Sequence, residues 1–122
     1  MGIFGRKKKA DGSPPAEHAV IARFRLSGED FGTVEEREAL FGLEDSLIAA
    51  IEAAGVGELD GHEFGGGEAV VYMYGPDADR LFSTVEVLLR SHGSNPAWCT
   101  LRYGKVSDRS AEEHHIDLRQ PT

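Results

Sequence analysis

Histidine, cysteine and carboxylate side chains are the groups of this chain that could do acid-base, nucleophilic or metal chemistry, and they gather at three places. His62 lies between Asp60 and Glu63, with Glu68 just beyond the run Gly65-Gly66-Gly67. Such a set could relay a proton or ligate a divalent cation. Neighbouring positions of a strand point to opposite faces, however, and the fixed zinc spacings are missing. The expected role is a polar hairpin surface, with Asp60, His62 and Glu63 kept as an alternative site. Glu112-Glu113-His114-His115 near the end of the chain is read as solvated residues that bind metal weakly. Cys99 is the single cysteine, and its shared phase with Leu101 predicts a small buried side chain rather than a nucleophile.

Phosphate chemistry is not indicated. A Walker loop would require Lys and Ser or Thr after the glycines, and a dinucleotide loop joins a strand to a helix. Here the glycines lie between two strand-like segments, so they predict a turn. The strand-to-helix junction at Gly75 to Asp79 carries two carboxylates that would repel a phosphate. Neither a hydrolase serine flanked by glycines nor a paired-histidine protease helix is present. No catalytic residue, metal or cofactor is assigned.

The elements that must position these groups follow from periodicity. Residues Ala19 to Leu26 alternate Val20, Ala22, Phe24 and Leu26 with Ile21, Arg23 and Arg25, as a half-buried strand does. Thr33 and Glu36 form the pattern of a capping box, opening a helix to about Ala54 that Gly55 ends. Its Leu40, Leu43, Leu47 and Ile51 make the apolar face, with Phe41 and Ile48 beside it; Glu44, Asp45 and Glu52 are assigned to the other side. Gly42 within it predicts a close helix-to-sheet approach or a kink. Val56 to Phe64 and Glu68 to Tyr74 read as a hairpin. Asp77 caps a second helix with apolar Ala78, Leu81, Phe82, Val85, Leu88 and Leu89, closed by Gly93, and Ala97 to Tyr103 forms the last strand.

This order, β α β β α β, predicts an α+β, ferredoxin-like domain: a four-stranded antiparallel sheet, its first and third strands central, with two helices on one face. Residues 18–105 form that domain. Residues 1–17 are read as a disordered basic arm and linker, and 106–122 as a polar tail with a short edge strand at His115 to Leu118. The stretch from Asp60 to Asp79, DGHEFGGGEAVVYMYGPDAD, with Leu101-Arg102-Tyr103-Gly104, resembles small uncharacterised bacterial ferredoxin-like proteins. The resemblance covers roughly residues 55–104; it implies the fold and a bacterial origin, and transfers no functional residue.

The face of the sheet turned away from the helices is the candidate binding surface. Arg23, Arg25, Trp98 and Arg102 share its phase, joined either by Tyr72 and Tyr74 or by Val71 and Met73. Aromatic and arginine residues are the usual anchors of protein interfaces. The net charge is -8, and counting from His18 leaves nine basic and nineteen acidic residues, a balance of -10. A body so acidic repels nucleic acid, and the third strand lacks the signature of an RNA-recognition sheet. No stretch has the length of a membrane span or the apolar run of a signal peptide. Arg6, Lys7, Lys8 and Lys9 would suit weak contact with an anionic membrane, a lesser alternative to a solubilising arm. The expected function is a cytoplasmic protein-binding or self-associating module, with a protein partner or homodimer. The alternative is a small enzyme or small-ligand sensor using the open face or the His62 hairpin.

Overall fold

The computed structural model describes residues 18–105 and 107–120, so the arm expected over 1–17 lies outside the described residues. Seven elements follow one another: β1 (His18–Arg25), α1 (Val34–Ala54), β2 (Glu58–Gly65), β3 (Glu68–Gly75), α2 (Ala78–Ser91), β4 (Ala97–Arg102) and β5 (Glu113–Asp117). The strands form one antiparallel sheet in the order β2-β3-β1-β4-β5. The expectation of four strands is corrected to five. A sheet ending at β4 would present a row of unpaired backbone donors and acceptors; β5 covers that row from Arg102↔Glu113 to Trp98↔Asp117. Leu118, just past β5, is fully buried, which anchors the new edge in the core.

Both helices cover one face. Val20, Ala22 and Phe24 of β1, Ala69, Val71 and Met73 of β3, and Ala97, Cys99 and Leu101 of β4 point toward them. Leu40, Leu43, Leu47 and Ile51 of α1 and Leu81, Val85 and Leu89 of α2 close the core from above. α1 packs on α2 and on β2, while α2 lies over β1, β3 and β4. The start of α1 is fixed by its capping box: Thr33 Oγ1 accepts from the Glu36 N–H at 3.0 Å, and Glu36 accepts from the Thr33 N–H at 2.9 Å. Gly55, with φ 65, ends it. Gly42 makes no close approach to the sheet; it is exposed, and a Cβ there would face open space.

The hairpin turns on Gly66 and Gly67, whose φ values of 60 and 79 suit the two-residue turns that match strand twist. At the far end of the same strands Gly57 and Gly75 allow a close backbone approach, since a Cβ on Gly75 would collide with the Val56 carbonyl. β5 is fastened by two arginines that exchange carbonyls. Arg90 of α2 donates to the carbonyls of Leu118 (3.2 Å) and Gln120 (2.7 Å). Arg119 reaches back to those of Arg90 (2.7 Å), His92 (2.7 Å) and Asn95 (2.6 Å), placing a cation at the negative end of α2.

Candidate functional site

Strand alternation puts one set of side chains on the face opposite the helices, and pairing register aligns them in rows. One row runs Glu63, Val70, Arg23, Trp98, Asp117; the next runs Gly61, Tyr72, Ile21, Thr100, His115; the third runs Glu58, Tyr74, Ala19, Arg102, Glu113. Arg25 pairs with Glu68 beside the first row. The structure therefore brings Arg23, Arg25, Tyr72, Tyr74, Trp98 and Arg102 onto one face, and of the two phases open in the sequence it is Tyr72 and Tyr74 that join, with Val71 and Met73 in the core.

Parts of this face are braced internally. Tyr72 Oη donates to Glu63 at 2.8 Å, and burial together with that carboxylate raises the phenol above its ordinary value, so it stays a neutral donor. Burial, then Asp60, does the same for Tyr74. Arg102 forms an ion pair with Glu113 at 2.8 Å and donates to the Asp108 carbonyl, while Thr100 Oγ1 and His115 Nδ1 lie 3.0 Å apart. The centre is less enclosed: Trp98 is 37% exposed and Arg25 is exposed. Ile21, Arg23, Glu68, Trp98, Thr100 and His115 line a shallow concavity of about 490 Å³.

The alternative trio does not converge. The register shifts between Leu59 and Gly61, so Asp60 sits at a bulge. An extra residue reverses the phase of everything after it. His62 and Phe64 consequently face α1, whereas Glu63 faces the open side and meets Tyr72. His62 finds a different partner. Its Nδ1 lies 2.9 and 2.8 Å from the two carboxylate oxygens of Glu44, which is only 8% exposed and is the single buried charged residue among those described. Phe41 and Phe64 flank the imidazole at centroid distances of 5.4 and 5.1 Å. The assignment of Glu44 to the solvent side of α1 is thus corrected. A signal existed: Leu40, Glu44, Leu47 and Ile51 fall at helical spacing on one stripe, with the carboxylate inside it.

Cys99 is buried, and desolvation pushes its thiol up to about 12, which makes it unreactive. In β5, His114 shares a face with Leu101 and His115 with Thr100, so the two histidines diverge. Among the described residues no three His, Cys, Asp or Glu side chains gather as a metal site. A second concavity, about 340 Å³, lies between the ends of α1 and α2 over Phe24, Leu26 and Leu40; burial, then Arg119, holds the His92 imidazole there below its ordinary value. No helix of the described residues is long and apolar enough to cross a membrane. No family model, curated protein or solved structure matches the chain.

Proposed function

We propose that this protein is a small cytoplasmic protein-binding module that associates with a second copy of itself through the outer face of its sheet, in a regulatory or immunity-type role. The observation that carries this reading is Trp98, 37% exposed and in register with Arg23 on a face over which no described helix lies. A half-exposed indole beside guanidinium groups has the composition of an interface anchor. Self-association is favoured because the face holds both signs. Arg23 and Arg25 lie near its centre, with Glu63 and Glu68 on one side and Asp117 on the other, so a two-fold arrangement lays arginines over carboxylates. Five strands about 4.8 Å apart, each showing some six residues at about 3.3 Å, give a plan area of roughly 500 Å² before side-chain relief, approaching the ~800 Å² per partner of a standard interface. The order β2-β3-β1-β4 with two crossover helices supports a ferredoxin-like reading, with β5 added, in keeping with the resemblance of residues 55–104. A single buried thiol suits a reducing compartment.

Light scattering over a concentration series tests the proposal. Replacing Trp98 by Ala at such a contact weakens association by about 2 kcal/mol, some 30-fold in Kd. Arg25→Ala acts in the same direction. Unchanged association in both folded variants overturns the reading. A second reading, a small enzyme or ligand sensor at the His62 hairpin, is favoured by one observation: Glu44 engages Nδ1 as a carboxylate does when it orients an imidazole for acid-base work.

A further inference from the structure

We propose that the flank of α1 bordering the β2 edge is a docking site for the segment Ile3 to Lys9 of this same chain, which lies outside the described residues. Val34, Phe41 and Ile48 recur every seven residues, two helical turns, and remain 54, 45 and 38% exposed. Each is followed four residues later by an exposed acid, Glu38, Asp45 and Glu52 in turn. Residues four apart are neighbours on a helix surface, so the result is an apolar stripe with a parallel acidic one. Phe41 packs against His62 and Phe64, which sets the stripe on the side of β2, the outermost strand. No described element covers it.

The charge of this helix asks for a cationic occupant. α1 carries six carboxylates against Arg37 alone, and its last turn has no basic residue, although the negative end of the helix dipole lies there. Ile3-Phe4 followed by Arg6-Lys7-Lys8-Lys9 offers the complement, two apolar residues and four cations. The attachment point is suitable. Ala19 pairs with Tyr74, and Tyr74 with Glu58, so β1 begins at the end of the sheet where α1 has just finished at Ala54. The nine residues from Lys9 to His18 can span up to ~30 Å, and the 21 residues of α1 run about the same distance. The cations therefore reach Glu52 and Asp45, and Ile3 and Phe4 reach Ile48 and Phe41. Tethering supplies an effective concentration near the millimolar range, so weak contacts suffice.

The test uses the full chain carrying Gly5→Cys with a nitroxide label; the native Cys99 is buried and stays unlabelled. At about 0.01 M salt, where the screening length is about 30 Å, amide signals of Asp45, Ile48 and Glu52 should fall at least twofold relative to those of β4, and they should recover near 1 M salt. Asp45→Lys with Glu52→Lys, both on the exposed surface, should abolish the effect, and Phe4→Ser should reduce it. Absence of selective loss on α1, or loss unaltered by the charge reversal, overturns the proposal. Loss that persists when the nitroxide and the nitrogen-15 label sit on different copies also overturns it, by assigning the occupant to another molecule.

Discussion

At residue scale the pair Glu44–His62 is the most consequential contact that the sequence does not reveal. Its partners lie 18 positions apart, and the imidazole turns toward α1 only because the bulge at Asp60 shifts the strand phase. Neither fact is local, whereas the capping residues Thr33 and Glu36, three apart, were legible at once. Burying a carboxylate is costly unless it is paired. His62→Ala should accordingly destabilise the fold by about 1 to 3 kcal/mol, and Glu44→Leu combined with His62→Phe should restore most of that loss, since an apolar pair leaves no charge stranded. Denaturant titration of the single and double variants decides this. A His62→Ala protein as stable as the parent would show that Glu44 is satisfied without the imidazole.

Among the elements, the two helices and strands β1, β3 and β4 could be read from periodicity because each has a continuous apolar face of its own, whereas β2, its phase broken at Asp60, was marked by the glycine turn that pairs it with β3. β5 could not be read from periodicity. Glu113-His114-His115-Ile116-Asp117 is polar and takes its strand form from the free edge of β4, from the buried Leu118 and from the arginine latch. Arg119→Ala removes three charge-assisted bonds at the end of α2. Amide exchange in β5 should then quicken well beyond that in β1. Equal protection with and without Arg119 would place the anchoring elsewhere.

The start of α1 responds to pH in a definite direction. Backbone donation from Thr33, then the bonds from Ser27, hold the Glu36 carboxyl below its ordinary value of 4.5, outweighing the opposing effect of burial. A group whose folded value is depressed contributes stability above the unfolded value and loses it as pH falls through the folded one. The stability gap between the parent and Glu36→Gln should therefore be widest at neutral pH and close progressively in acid below 4.5. Urea melts across that range measure it; a gap that stays constant would mean the carboxylate charge is immaterial.

At the scale of the whole fold, the helices cover one face of the sheet and no described helix covers the other, and this asymmetry underlies the proposed association. Arg23, Arg25, Trp98 and Arg102 on the outer face were legible because strand alternation is strict, and no bulge intervenes in β1, β3 or β4. What the periodicity left open, the choice between Tyr72 with Tyr74 and Val71 with Met73, was settled only by the pairing register. Trp98 is the single tryptophan of the chain, so its emission reports on the centre of that face and nothing else. Fluorescence of the full chain followed through a dilution series is the most direct measurement. The proposed association predicts emission that moves to longer wavelength as dilution separates the copies, with Arg23→Glu showing the dilute spectrum at every concentration. An indole whose emission stays constant from the most concentrated to the most dilute sample, in parent and variant alike, would contradict it.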